Sequence, residues 1–361
     1  MMKRALGRRR LLAAPAVWLA AGPAGPAVFA ATAPAAPPPA ALPAGTNVLV
    51  AGPPGGATDQ WAITLMPALA RALPGGIDLH RVSTGGLDGV TGANQFDARA
   101  DPDGGTVLLV PGAAALAWLA GDPRARFDAA NWLPVLAAAS PGILVGRGDE
   151  SDLDGRVTLH LAAASPAGPA MAALLALDLL AVPVQPVFGL ADAAARRAAF
   201  AAGAADLMLL HGPDVPGQLA DLAGLGARPI FALGGIDEAG RPGPDPLFPE
   251  LPTLVELHLR LRHAAPAGPL FDAWLAVAAA TQLAFGLMLP QLTPAALVSL
   301  WRRAGAQAAA TPDLLAAAAA QALRPLPPAA AAASVASLAA SPASLLELRS
   351  WLATRWNYRP T

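Results

Sequence analysis

The sequence predicts an α/β fold in two successive units, each a mainly parallel sheet flanked by helices. Short apolar runs without alternation, such as Thr106 to Val110, read as strands covered on both faces. Each run breaks into a Gly/Pro turn and then a helical apolar pattern, and the cycle occurs first over 46–146 and again from Val157. A chain of 361 residues can bury two cores of ordinary domain size.

The N-terminus carries a targeting signal. Lys3, Arg4 and Arg8-Arg9-Arg10 precede an apolar stretch from Leu11 to about Ala21, and Val28-Phe29-Ala30 supplies a small-residue cleavage site. The run GRRRLL is similar to a twin-arginine export signal, so residues 1–30 are expected to be removed near Ala30 and the protein to reach the periplasm. An uncleaved anchor is the alternative, but Pro15, Gly22 and Pro23 break the apolar core. Residues 31–45 form an Ala/Pro linker expected to be disordered.

Five of the 24 basic residues and no acidic one lie in the signal, leaving 19 against 25, a charge of about minus six and no lysine. Scattered arginines on an acidic chain give no footprint for nucleic acid. Hydrophobic content of 55% with 14% charged residues excludes disorder, and much of the apolar fraction is alanine. The alanine tracts Ala316 to Ala322 and Ala329 to Ala333 are bounded by Pro312, Pro325, Pro327 and Pro328, which would interrupt a membrane span. With no cysteine, the chain uses neither disulfides nor thiolate chemistry.

Taken in order, Asn47 to Ala51 is the first strand, Gly52 to Gly56 a turn, and Thr58 and Asp59 open a helix through Trp61, Leu65, Leu69 and Leu73. Ile77 to Val82 is the second strand, followed by the glycine-rich Ser83 to Asn94 and a helix ending near Ala100. After the third strand, Thr106 to Val110, comes a helix over Pro111 to Ala120, then a strand pair within Val135 to Arg147 around Pro141 and Gly142. The second cycle has strands at Val157 to Ser165, Val182 to Val187, Asp206 to Leu210 and Arg228 to Leu233, with helices at Ala170 to Leu180, Asp192 to Ala202 and Val215 to Leu222. A proline-rich loop, Gly240 to Pro252, precedes a helical run over Pro269 to Gly286, and Leu287 to Leu289 is a strand re-entering the first unit. Thr293 as N-cap and Pro294 at the first position start a helix to Arg303, and Ser341 to about Trp356 closes the chain through Leu345, Leu348, Leu352 and Trp356. These last helices read as packing elements.

The chemistry is that of binding. His258 and His263 lack metal-ligand spacing, no GxSxG elbow is present, and Ser165 has no assignable histidine, so neither a metal site nor a hydrolase triad is predicted. The first glycine loop lacks GK[ST] and the second lacks GxGxxG, so no nucleotide cofactor is expected. A strand, a glycine turn and a helix N-terminus aim unpaired amides and the positive end of a helix dipole at one point, which favours an anion, although the same pattern also serves as a plain tight turn.

Pro54-Gly55-Gly56-Ala57-Thr58-Asp59 resembles the P-G-G-x-T-D loop of the substrate-binding receptors of tripartite tricarboxylate transporters, also called Bug proteins. Gly86 to Ala93, Asp101 to Thr106, Gly203 to Met208, Phe248 to Thr253 and Phe285 to Pro294 are similar to further motifs of that family, in its order. The resemblance implies a two-domain periplasmic binding protein, a type II-like clamshell. Domain 1 would be 46–146 with the return segment 283–361, and domain 2 would be 147–282. It implies a monomeric, non-enzymatic receptor for a small organic acid that serves membrane permease subunits, or alternatively a sensor or interaction protein that keeps the fold without transport. Carried over, the ligand's carboxylate would meet Pro54, Gly55, Gly56, Ala57, Thr58 and Asp59 on the first loop, Gly86, Asp88 and Gly89 on the second, and Gly112 after the third strand. Asp59 would cap the helix or orient the loop, since it would repel an anion.

The second unit would contribute Ser165, Ala167, Phe188 and Asp206, and there the sequence departs from the family pattern. Ala162 to Pro169 keeps one serine of a Gly/Ser-rich loop, Val187-Phe188 stand where a tyrosine and a lysine are usual, and Asp88 and Val90 replace a glycine and an asparagine in the second loop. A ligand with one carboxylate and a less polar body fits these changes better than a tricarboxylate.

Overall fold

The computed structural model describes residues 41–43, 45–148, 153, 155–237 and 241–359. The expected export signal, the expected cleavage near Ala30 and most of the expected linker fall outside these residues, as does Gly240. The described part from Ala41 onward belongs to one compact unit.

The first α/β cycles form as the sequence indicates. Strand β1 is Gly45–Ala51, helix α1 Ala57–Ala72, β2 Asp78–Thr84, α2 Val90–Arg99, β3 Thr106–Val110 and α3 Gly112–Ala120. Their continuous apolar runs are explained by burial on two sides: Leu49, Ala51, Leu108 and Val110 enter one core, whereas Val48, Val50, Val107 and Leu109 enter another. Strand β4, Leu133–Ala139, and β5, Gly142–Gly146, follow. They are not the pair the sequence suggested. At Ser140-Pro141 the chain leaves one sheet and β5 opens the other, six residues before the boundary placed at 147.

The second unit contains β6 Leu159–Ala162, α4 Met171–Leu179, β7 Val184–Val187, α5 Ala193–Ala201, β8 Leu207–His211, α6 Val215–Ala223 and β9 Arg228–Ala232, all near their expected positions. A short antiparallel ribbon pairs β10, Gly235–Ile236, with β11, Pro242–Gly243, at the start of the proline-rich loop. Helix α7, Leu254–Arg262, was not anticipated, although its start is legible: the Thr253 hydroxyl accepts from the Glu256 amide while the Glu256 carboxylate accepts from the Thr253 amide at 2.7 Å.

Helix α8, Pro269–Gln282, ends four residues earlier than its apolar run suggested, because the run continues as β12, Leu283–Leu289, which does re-enter the first sheet. Helix and buried strand cannot be separated by apolar content alone. Helix α9, Ala295–Ala309, has Pro294 rather than Thr293 as its N-cap; Thr293 instead donates its hydroxyl to the Pro290 carbonyl at 2.8 Å. Helix α10 Pro312–Ala319, strand β13 Arg324–Leu326 and helix α11 Pro328–Ala336 break the alanine tracts at their prolines. Helix α12, Pro342–Trp356, is capped by the Ser341 hydroxyl and buries Leu348 and Leu352. Among the described residues no helix is long and apolar enough to cross a membrane.

The two sheets are mixed rather than mainly parallel. The first runs β13-β4-β12-β3-β1-β2, with β2, β1 and β3 parallel and the remaining neighbours antiparallel. The second runs β7-β6-β8-β5-β9, parallel only across β7, β6 and β8. The crossing strand β5, the returning strand β12 and the edge strand β13 make the antiparallel pairs, because each enters its sheet against the direction of the βαβ strands. One core, containing residues of α3, α4, α8 and α12, is common to both sheets.

Candidate functional site

The parallel order β3-β1-β2 puts three strand ends side by side, with Ala51 beside Thr84 and Val50 beside Leu109. The helices that follow these strands, α1, α2 and α3, therefore all begin at one edge of the sheet. None receives a side-chain cap at its N-cap position, which is Gly56, Gly89 and Pro111 respectively. Uncapped first turns leave amides without intrahelical partners and add their dipoles at the same edge. Such an edge can hold a carboxylate with no charged side chain.

The first loop is built from within. Asp59 is 2% exposed and turned away from the loop mouth. Its carboxylate accepts from the Gly55 amide at 2.8 Å, the Ser83 hydroxyl at 2.6 Å and the Arg81 guanidinium at 2.7 Å. Burial raises the Asp59 pKa, but the Ser83, Gly55 and Arg81 interactions outweigh it and the carboxyl lies below its ordinary value. Asp59 thus fixes the loop to β2, and the Gly55 amide is directed at Asp59. The Gly56 amide donates to the Pro53 carbonyl at 3.0 Å, which leaves the first turn of α1, from Ala57 and the buried Thr58 onward, as the outward-facing donor set. Pro54 and Gly55 are exposed at the tip.

On the second loop, Gly89 is left-handed and lies so close to Pro111 and the Ala51 carbonyl that a Cβ would stand 2.7 Å from the proline ring. Only glycine fits there, and the contact brings the second loop against the third strand's turn. Gly86 is also left-handed, and its carbonyl accepts from the Gly89 amide at 3.3 Å. Asp88 points its carboxylate at the Val90 amide, 3.2 Å away, and pairs with Arg124 at 2.9 Å. Arg124 is shared with Asp122, and the two carboxylates together raise its pKa. The charge that sequence comparison placed against an anion is therefore locally compensated. Gly112 is buried, packed where a side chain would collide with the Ala280 carbonyl, and so seats α3 against α8.

In the second unit, the loop after β6, which carries Ser165 and Ala167, is tied to the loop after β7, which carries Phe188, because the Gly189 and Leu190 amides donate to the Ala164 and Ala163 carbonyls. Phe188, 38% exposed, meets the Trp356 ring edge-on at 6.2 Å. Asp206 is elsewhere. It precedes β8 and accepts from the His160 amide at 2.8 Å, with the His160 ring at 3.0 Å, so it ties β8 to β6 at the opposite end from these loops.

Sequence reasoning missed the C-terminal segment. Helix α12 ends in Trp356 against Phe188, and burial together with the nearby Asp122 charge raises the Tyr358 pKa, with Arg124 opposing. On the second glycine loop Asp88 pairs with Arg124, and Trp356 at the end of α12 meets Phe188 on the β7 loop. A terminal amphipathic helix carries no sequence signal for this. Among the described residues no group of histidine and carboxylate side chains could hold a metal ion.

The two mixed α/β sheets and their flanking helices have the fold of solved periplasmic solute-binding proteins. No family model and no curated protein matches the sequence. Among solved structures, a TctC solute-binding protein from Polaromonas is similar at a TM-score of 0.63 and 15% identity, covering 85% of this chain and 97% of its own. MatC from Rhodopseudomonas palustris, solved with bound malate, gives 0.50 at 20% identity and covers 87% and 98% of the two chains. A second R. palustris protein, solved with adipate, gives 0.51 at 16% identity over 85% and 98%. The periplasmic binding protein BugD gives 0.50 at 17% identity over 85% and 96%.

Proposed function

We propose that the protein is a periplasmic, non-enzymatic receptor that binds a small organic acid between its two lobes. The observation that carries this reading is the common edge at which α1, α2 and α3 begin after β1, β2 and β3 without a cap from their N-cap residues; on α2 the Asp88 carboxylate takes the Val90 amide. The ligand carboxylate would meet the first-turn amides after Gly56 and the second loop at Gly86 and Gly89. Ser165, Ala167 and Phe188 would face the rest of the molecule. Two structurally similar proteins were solved with malate and with adipate, which supports acids of this size. The apolar Val187 and Phe188 favour a ligand with one carboxylate at the glycine edge and a less polar body. Delivery to the membrane subunits of a tripartite tricarboxylate-type transporter, after twin-arginine export, completes the proposal.

The test is thermal denaturation and calorimetry with malate, adipate, citrate and short monocarboxylates. A ligand at about 100 times its Kd should add roughly 2.7 kcal/mol of stability. Tight binding of citrate with no response to any mono- or dicarboxylate would overturn the ligand assignment, and silence across the panel would overturn the receptor reading.

A further inference from the structure

Helix α5, in the alanine-rich run ADAAARRAAFAAG, buries Phe200 against the second sheet and carries only small side chains around Arg196 and Arg197. Alanine fills little of the space between a helix and a sheet, and a cavity of about 280 Å³ remains between α5, α6 and β8. Its floor is apolar, with Met208, Leu210 and Leu222 all at most 4% exposed. Its wall holds Arg196 and His211. The cavity shares no residue with the glycine-loop edge.

The charges in this cavity are unbalanced. At the rim, Arg197 is answered by Asp221 at 2.7 Å. Arg196 is half-buried and forms no ion pair among the described residues; its guanidinium donates only to the Leu190 and Ala191 carbonyls, both at 3.3 Å. Burial lowers its pKa, and the Asp192 charge only partly opposes this. A buried charge without a counter-ion is costly, and the space in front of it is open. Burial and the Arg196 charge push the His211 pKa down to about 4, so at neutral pH the ring is uncharged and can hydrogen-bond without adding a second positive charge.

We infer that this cavity is a second ligand site, which takes a small monocarboxylate with an apolar body. The carboxylate would pair with Arg196, the His211 ring would hydrogen-bond to it, and the body would lie on Met208, Leu210 and Leu222. An apolar floor beneath Arg196, a cation without an ion pair among the described residues, suits a compact aromatic or branched acid and disfavours inorganic anions or polyanions. The inference stands on the cavity alone and does not require that the glycine edge bind anything.

Benzoate and 4-bromobenzoate are the probes, used with the full chain. Crystals soaked in 4-bromobenzoate should show an anomalous bromine peak between α5 and α6. Calorimetry should show that Arg196→Met weakens benzoate binding about tenfold or more. Ala194→Trp, at an exposed position on the cavity rim, should abolish binding. Removing a half-buried unpaired charge should leave or raise Tm, so Arg196→Met is expected to fold, and Ala194→Trp tests the cavity independently of that charge. Absence of a bromine peak in the cavity, or affinity within twofold of the parent in either variant, would overturn the inference.

Discussion

At the scale of single residues, Asp59 determines the shape of the first loop. Asp59→Ala would leave Arg81, Ser83 and the Gly55 amide without their common acceptor, and urea unfolding should show a loss of about 2–4 kcal/mol. Because the folded Asp59 pKa is below the unfolded 3.8, its contribution is complete above that value and lost as pH falls through the folded pKa. His211 acts with a different window. Its folded pKa near 4 lies below the unfolded 6.5, so the unfolded chain binds more protons between them; stability is full above about 6.5 and declines toward pH 4. The decline is at most about 3 kcal/mol, less where solvent reaches the ring. His211→Leu should flatten that part of the stability profile. Asp88→Gly should strengthen carboxylate binding several-fold, because it frees both the Val90 amide and one side of Arg124. An unchanged Kd by calorimetry would place Asp88 outside the site.

At the scale of elements, the helix N-termini divide into capped and open sets. Thr253, Asp192, Asp214 and Ser341 cap α7, α5, α6 and α12, whereas α1, α2 and α3 at the glycine edge, like α4, α8, α9, α10 and α11 elsewhere, have no side-chain cap from their N-cap residues. Thr253→Ala should therefore cost about 1 kcal/mol in urea unfolding and leave carboxylate binding intact. Gly112 sets the approach of α3 to α8. Gly112→Ala would drive a methyl into the Ala280 carbonyl, and the helix must shift, at a cost of about 1–3 kcal/mol measurable as a lowered Tm. The capping box at Thr253 was readable in the sequence and marks α7. The end of α8 was not, because the run from Ala278 to Leu287 is interrupted only by Thr281 and Gln282, both buried, and pairing with β3 and β4 decides which part is strand.

At the scale of the molecule, the lobes are joined where the chain crosses at Ser140-Pro141 and returns at Gln282. The Ser140 amide donates to the Gln282 carbonyl at 2.8 Å, the Gly212 amide donates to the Ser140 hydroxyl at 3.2 Å, and Gln282 donates to the Gly234 carbonyl. Ligand binding between lobes so joined should reduce the radius of gyration in small-angle scattering, and an unchanged curve at saturation would argue against closure. The strands, their order along the chain and the glycine turns were legible from the sequence, because apolar runs, turn residues and helix starts are local properties. The sequence also determined that loops at Gly55 and Gly89 would precede helices. It could not show that β4 and β5 belong to different sheets, that Asp206 lies at the opposite end of β6 and β8 from the loops carrying Ser165 and Phe188, or that Trp356 reaches Phe188. Those facts depend on strand pairing and on contacts between residues distant in the chain. Tertiary structure alone decided them, because register and packing are set by which surfaces bury one another, whereas local pattern says only that a surface must be buried.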